Sequence, residues 1–600
     1  MMPKLRSNTD LPLQFALLAV AVGIAAGFGA LVFRALIAFF HNLFFLKMVS
    51  LHYDANVHTV LGPWGAWVIL APVVGAVLVA FLVKNFAPEA KGHGVPEVIG
   101  AIYYTNGVIR PVVALIKSLA SAISIGSGAA IGREGPIIQI GSAFGSTLGQ
   151  MINMPQWQRF TLIACGAGGG IAATFNTPIG GLLFAIELIM PEVSARTLIP
   201  VALATGAATF VGRSAFGDHP AFQIPALVLG PTHLATTATI VAYLLFGLLL
   251  GLMSWLYIRA IYQFEDWFSR IPGNYYSRHV LGMLIVGIMM YSFMHFSGQY
   301  YVEGVGYSTV QDVLTHTLGN PWFLLLLCFA KLLATSLTLG SGASGGVFSP
   351  CLFIGATLGG AAAVLFNQLL PGAHLDMASM AVIGMAGMVG GTTGAVVTAI
   401  VMIFEMTRDY NIIIPLMITV SVAFGMRRLL INDSIYTRKL SLRGQHVPDS
   451  LQTNLYLLHT ASQALSRPVH CVDAQADISE IRSHAGQLSR SDLVLTSDGK
   501  PTAIVLSEWL PALRKLPDGP VREVLEPYLD DAFIVVGKQE MLFDVVGRMR
   551  RSASGAALVS NDRNDSRPES LLGVLSWEDM SRNSKLPVSL LQKQHPSETN

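Results

Sequence analysis

Three short stretches place glycine and proline where an apolar run begins: Gly92-His93-Gly94-Val95-Pro96, Gly132-Arg133-Glu134-Gly135-Pro136 and Gly345-Gly346-Val347-Phe348-Ser349-Pro350. Proline fits the first turn of a helix, where its missing N–H would be unpaired anyway, and glycine lets another backbone or an ion come close. The free amides at such a start carry partial positive charge and suit an anion without a full Lys or Arg. A permeating ion needs that compromise, because a full cation would hold it too tightly to let it go. Glu134 adds a carboxylate at one of these starts.

The elements that would position these groups are membrane segments. The chain has 600 residues, 52% hydrophobic and 12% charged, against roughly 25% charged in a soluble domain. Half of the 74 Asp, Glu, Lys and Arg residues, 37, fall between Ser441 and Asn600, which divides the chain into a bilayer part and a water-soluble tail. Full spans are expected at Phe15–Phe40, Trp64–Val83, Ala235–Tyr257, His279–Met294 and Trp322–Leu337. Shorter, interrupted runs lie at Val112–Ile125, Ile137–Leu148, Thr161–Ile171, Gly180–Met190, Phe353–Leu365, Met380–Val389 and Ala395–Met406. Broken helices at membrane depth are tolerated where protein buries them or where they line a cavity, the pattern of a transporter or channel. Lys4 and Arg6 ahead of the first span favour a cytoplasmic N-terminus.

An internal repeat ties the motifs together. At a constant offset of 214, Gly126, Ser127, Gly128, Ala129, Gly132, Pro136, Ile140 and Gly141 recur as Gly340, Ser341, Gly342, Ala343, Gly346, Pro350, Ile354 and Gly355, and Lys117 recurs as Lys331. Two related halves are expected, with the substrate site where their interrupted segments meet.

Other chemistries find little support. Cys165, Cys328, Cys351 and Cys471 form no CxxC or Cys/His cluster and read as buried thiols, with neither a disulfide framework nor a zinc site. No P-loop or nucleophile–base set stands out, so an enzyme is disfavoured. With a net charge of +2 and no basic run, no nucleic-acid partner is expected.

With these motifs, residues 15–440 resemble the CLC family of chloride channels and chloride/proton antiporters. The family's GSGIP stands as GHGVP at 92–96, GREGP is intact at 132–136 and GxFxP stands as GVFSP at 346–350; Asn176-Thr177-Pro178 through Glu187 and Tyr436 also match. The resemblance implies a multi-pass α-helical protein with two inverted halves (about 15–215 and 233–440). It implies a homodimer with a pore in each subunit, in the cell (inner) membrane, with both termini cytoplasmic and residues 1–14 the cytoplasmic N-terminus. His93, Gly94, the amides of Val347 and Phe348 and the hydroxyl of Tyr436 would surround the central anion. Glu134 would be the external gate, and Arg133 reads as structural.

Two departures bear on function. His93 replaces the Ser that usually coordinates chloride; it either donates to the anion or turns away to a carbonyl. Leu188 stands where antiporters commonly have an inner, proton-carrying Glu, which favours a chloride channel over the alternative of proton-coupled exchange. Water, Glu187, Glu192 or His93 could offer another proton route. Glu187 and Glu405 themselves read as buried, paired, structural carboxylates.

After a linker at 441–456, residues 457–600 resemble a pair of CBS modules (about 457–515 and 521–585). Strands are expected at Val469–Val472, Asp492–Thr496, Ala503–Leu506, Ala532–Val536, Ala556–Ser560 and Leu571–Ser576, with helices at Ile478–Gln487 and Met541–Arg551. Ser576 and Asp579 match the family's spacing for phosphate and ribose contacts. Ser507 is followed by Leu510, so at most one half-formed adenine nucleotide site is implied, beside the plainer reading of a structural tail. No other cofactor and no metal is expected. A divalent-cation channel would need acidic clusters that the membrane part lacks, and a tethered nucleotide sensor would leave the broken helices unexplained.

Overall fold

A computed structural model describes residues 11–191, 193–218, 222, 224, 237–370, 372–445, 447, 455–479, 491–507 and 517–584. The chain forms two compact units, Met1–Leu451 and Gln452–Asn600. Among the described residues the first unit holds seventeen α-helices: α1 (Leu11–His41), α2 (Leu70–Asn85), α3 (Val95–Tyr104), α4 (Val112–Gly126), α5 (Glu134–Met151), α6 (Gln156–Phe175), α7 (Pro178–Phe184), α8 (Ala195–Phe216), α9 (Thr237–Arg270), α10 (Tyr275–Ser297), α11 (Tyr307–Leu314), α12 (Pro321–Ser341), α13 (Phe348–Leu369), α14 (Met377–Thr393), α15 (Val396–Thr407), α16 (Ile413–Leu430) and α17 (Ile435–Leu442).

Among the described residues, eight helical stretches are long and apolar enough to cross a membrane. The five expected spans are among them. Two more, Ala195–Phe216 and the stretch containing α16, go beyond the sequence reading. The first carries Pro200 and a mean hydropathy of only 1.3, because alanine, glycine and threonine supply much of its length. The eighth corrects an expectation: Phe353–Leu365 is the middle of α13, a 22-residue helix that is 89% buried over its apolar window. Its glycines suit burial against protein.

The repeat is physical as well as textual. Gly141 and Gly166 bring α5 and α6 into contact, and at the matching place Gly355 and Gly384 do the same for α13 and α14. A Cβ on Gly166 would lie 1.9 Å from the Gly141 carbonyl oxygen, and one on Gly384 would lie 2.1 Å from that of Gly355. Lys117, fully buried, donates to the carbonyls of Ala90 (2.9 Å) and Gly92 (2.7 Å); Lys331, equally buried, donates to Val302 (2.9 Å) and Gly304 (2.7 Å). Each lysine thus holds a Gly-x-Gly loop just before a short helix, α3 in one half and α11 in the other.

Two further short helices cap each other across the halves. A π-helical turn, Ala185–Ile189, ends α7 and carries Glu187, whose carboxylate accepts from the amides of Val397 (3.0 Å) and Thr398 (2.6 Å) and from the Thr398 hydroxyl (2.5 Å) at the start of α15. Near the end of α15, Glu405 accepts from Ile179 (3.1 Å) and Gly180 (2.6 Å) at the start of α7. Both carboxylates are half-buried rather than fully buried.

The tail unit holds two three-stranded sheets built alike. In the first, β1 (Val469–Asp473) pairs parallel with β2 (Asp492–Ser497), which pairs antiparallel with β3 (Lys500–Val505). In the second, β4 (Phe533–Gly537), β5 (Ala556–Ser560) and β6 (Leu571–Ser576) repeat that order. Strand β3 starts three residues before the sequence suggests, because Asp498 and Gly499, both at positive φ, close a two-residue hairpin. Val494, Ile504, Ala556, Leu558, Leu571 and Val574 form an apolar cluster shared by both sheets. The expected helix at 478–487 lies outside the described residues beyond Ser479, and the second spans Leu542–Arg551.

Gly384→Ala forces backbone apart and should cost about 3 kcal/mol or more, read as a lower melting temperature and loss of monodisperse protein in detergent. Gly425→Ala, with open space around its Cβ, should stay within about 1 kcal/mol of the parent.

Candidate functional site

The site begins where two helix starts are pinned to one another. Gly132 donates to the Gly346 carbonyl at 2.7 Å and Gly346 donates back to Gly132 at 2.6 Å, so equivalent residues of the repeat exchange hydrogen bonds just before α5 and α13. Side chains would prevent this approach: a Cβ on Gly346 would meet the Gly135 nitrogen at 2.7 Å, and one on Gly135 would meet the His93 carbonyl at 2.2 Å. The starts of α3, α5 and α13 therefore share one small volume. Gly92 strengthens the contact by donating to Ala343 (3.0 Å) and accepting from Gly345 (3.2 Å).

Glu134, the first residue of α5, is fully buried in that volume. Its carboxylate accepts from the Ser349 amide (3.2 Å), from the Ser349 hydroxyl (2.6 and 2.7 Å to its two oxygens) and from the Tyr307 hydroxyl (2.5 Å). The side chain of one half thus occupies the N-terminal end of α13 in the other, the position whose amides and dipole favour negative charge. Arg133 Nε stands 3.9 Å from the same carboxylate, with the guanidinium 5.0 Å above the Tyr307 ring.

The sequence reading gives neither hydroxyl donor a role. Ser349 lies inside one of the three motifs, but only the amides before it have a part there. Tyr307 opens α11, a helix that reading does not anticipate. A signal for it exists: Gly304-Val305-Gly306-Tyr307 repeats the spacing of Gly92-His93-Gly94-Val95, with all four glycines at positive φ. The offset there is 212 rather than 214, which hides the match.

The other residues named for the anion fall nearby. His93 is 3% exposed, with its Nε2 3.2 Å from the Tyr262 hydroxyl. Tyr436, on α17, is 1% exposed, its ring 5.9 Å from that of His93. Helix α17 is fixed by a capping box in which the Ser434 hydroxyl accepts from Tyr436 and Thr437 amides. Val347, the N-cap of α13, has its carbonyl engaged by the Tyr257 hydroxyl (3.3 Å), and Phe348 packs its ring 5.5 Å from Phe175. Gly94 is the N-cap of α3, at φ 83°. Leu188 sits in the π-helical turn beside Glu187, whose carboxylate is committed to α15. Glu192 lies outside the described residues.

In the tail, Ser576 and Asp579 are engaged with each other: the Ser576 hydroxyl donates to Asp579 Oδ2 (2.9 Å) and accepts from the Asp579 amide (3.1 Å), an N-terminal cap for the helix Trp577–Ser584. Arg467 spans both modules, 3.6 Å from Asp579 Oδ1 and 3.6 Å from Asp492 Oδ1, and donates to the Ser507 hydroxyl. Asp492 is 1% exposed and its Oδ2 has no hydrogen-bond partner. Burial pushes its carboxyl up from the usual range, opposed by the Ser507 amide and Arg467.

Paired broken helices whose starts converge on a buried carboxylate fit a membrane protein for anion transport. A family model described as voltage gated chloride channel matches residues 75–428, and the chain belongs to that family, the CLC proteins. It is 30% identical over 446 residues to the H(+)/Cl(-) exchange transporter ClcA of Cronobacter sakazakii, covering 73% of this chain and 91% of that protein. A crystal structure of a slow cyanobacterial Cl−/H+ antiporter matches with a TM-score of 0.61 and 25% identity over 73% of this chain and 99% of the other. A eukaryotic CLC transporter matches with a TM-score of 0.61 at 19% identity, covering 94% of this chain and 98% of that one, a likeness of fold alone.

Arg467→Met should leave Asp492 and Asp579 without their cation and cost the tail about 1–2 kcal/mol at neutral pH. Losing the cation raises the folded-state Asp492 carboxyl further above its unfolded value. The stability is therefore retained in acid and lost as pH rises through the folded pKa. Hydrogen exchange at β2 and β6 of the full-length protein should show the variant's loss of protection at neutral pH shrinking in acid.

Proposed function

We propose that this protein exchanges chloride for protons, with Glu134 as the group that both ions contest. The observation that carries the reading is the Glu134 carboxylate at the start of α13, held by the Ser349 amide and by the Ser349 and Tyr307 hydroxyls. A deprotonated Glu134 fills the place of an anion; a protonated one loses most of its attraction to these donors and gives the place up. The ion then moves to amides of Val347 and Phe348 with Tyr436 and His93 beside it. Aligned amides hold it weakly enough to release. The names of the ClcA relative and of the cyanobacterial antiporter support exchange, whereas Leu188, without a titratable group at the inner position, supports passive chloride conduction as the second reading.

The protein acts as a homodimer in the cell inner membrane, with a pore in each subunit and both termini cytoplasmic. Residues 15–440 form the transport domain, and 457–600 form a CBS-like pair. With Ser576 and Asp579 bonded to one another and Asp579 paired with Arg467, the pair serves as a structural module rather than as a nucleotide sensor.

Liposomes holding the purified protein test the reading under a chloride gradient and clamped voltage, with chloride and external pH followed together. The expected result is uphill proton movement, lost in Glu134→Gln while chloride still flows. Chloride flux without proton movement would establish passive conduction, and no flux from a folded dimer would sink the chloride assignment.

Ser349→Ala removes the hydroxyl donor but keeps the amide. If one charged hydrogen bond of about 1.5 kcal/mol is lost, chloride displaces the carboxylate about tenfold more readily, and the chloride concentration for half-maximal flux at fixed pH falls by about that factor; an unchanged value would count against Ser349 holding the gate.

A further inference from the structure

The hydrogen bonds around His93 fix its tautomer. The Tyr262 hydroxyl has a single hydrogen, and it lies 2.5 Å from the Ile435 carbonyl, which can only accept. Toward His93 Nε2, 3.2 Å away, Tyr262 must therefore present its oxygen lone pair, so Nε2 carries the ring proton. The other nitrogen, Nδ1, is left as a bare acceptor, and it is buried with no hydrogen-bond partner. A bare lone pair repels an anion. Once protonated, the same nitrogen donates to one and brings a full charge.

The surroundings decide when that proton can stay. The charges bearing on the ring are Lys439 on α17, Lys117 on α4 and Arg443 just after α17. None of the three can offset a positive ring, and Lys439 Nζ lies 2.8 Å from where a Cβ of Gly92 would stand. The nearby carboxylates are committed elsewhere: Glu97 on α3 takes two hydrogen bonds from Arg443 (2.8 and 3.1 Å), Glu265 on α9 stands 4.0 Å from Lys439, and Glu134 on α5 is held by Ser349 and Tyr307. Tyr262 and Tyr436 supply no charge while their hydroxyls are protonated. An imidazolium at His93 thus has no protein counter-charge, and a bound anion would supply one.

We propose that His93 Nδ1 is a second proton-binding site of the membrane part, filled only together with an anion at the neighbouring site. The inference rests on the exchange reading and supplies the titratable group that Leu188 cannot. The proton comes from water onto Nδ1, the Nε2–H bond to Tyr262 stays in place, and the imidazolium–chloride pair carries no net charge. By linkage, the factor by which chloride raises proton affinity equals the factor by which the proton raises chloride affinity.

The test is calorimetric chloride binding to the full-length Glu134→Gln protein in detergent, which removes the gate's own titration. Between about pH 8 and about pH 5, the range in which an imidazole changes charge, chloride affinity should rise about tenfold, within the usual span of such couplings. Chloride addition in weak buffer at intermediate pH should also draw protons from solution. Adding His93→Ser should make affinity flat with pH. A pH-independent affinity with His93 present, or an undiminished dependence with Ser in its place, overturns the proposal. The first of these needs no His93 variant and stands even if that variant fails to fold. No chloride binding at any pH overturns this proposal and the exchange reading together. Pronounced pH-linked binding beside liposome chloride flux without coupled protons overturns the exchange reading alone.

Discussion

The molecule depends on one requirement: polar backbone at the ends of broken helices, inside an apolar unit, must find partners. The two hydrogen bonds exchanged by Gly132 and Gly346 meet it at the centre. They spend two loop amides and two loop carbonyls on each other, which leaves the next amides of α13 free for a charged group. Glu134 takes one of them, that of Ser349, in this conformation. Structure and site are thus a single arrangement, in which backbone that is satisfied internally frames backbone that meets the Glu134 carboxylate.

The same requirement explains charges that would otherwise be costly. A buried lysine is expensive unless its donors are met. Lys117 and Lys331 each meet two carbonyls of a Gly-x-Gly loop and so fix the approach to α3 and α11. Because α11 begins with Tyr307, the Lys331 clamp also bears on how Glu134 is held. The lysine in the other half fixes the loop that carries His93. Equivalent scaffolding has come to present different chemistry: a phenol to Glu134 on one side and an imidazole beside Tyr436 on the other.

Much of this was legible in the sequence, for identifiable reasons. Gly and Pro at helix starts, and a repeat held at one offset, give away the broken helices and the two halves, whereas the hydrogen bonds between Gly132 and Gly346 leave no mark in the sequence. Long apolar runs announce α1, α2 and α10. Helix α8 was hidden by its small residues and Pro200. Tyr307 was hidden because the repeat loses register by two residues between Gly92 and Gly126. The carboxylates of Glu187 and Glu405 read as structural, yet nothing local says that each caps a helix in the opposite half. The tautomer of His93 depends on Tyr262 and Ile435, far away along the chain. Arg467 joins Asp492 to Asp579 for the same reason: contacts between distant residues leave no periodic mark.

The reciprocal caps of α7 and α15 have a consequence for how the chain is made. The amides at the start of α7 find their acceptor in Glu405, and Glu187 finds its donors in Val397 and Thr398. When the first half leaves the ribosome, the start of α7, the carboxylate of Glu187 and the loop amide of Gly132 all lack the partners they have in the finished protein. Those partners arrive more than two hundred residues later. The first half must therefore wait in the bilayer with its polar ends covered by water, lipid headgroups or the insertion machinery. The last turn of assembly is the closing of one half upon the other rather than the docking of two finished pieces.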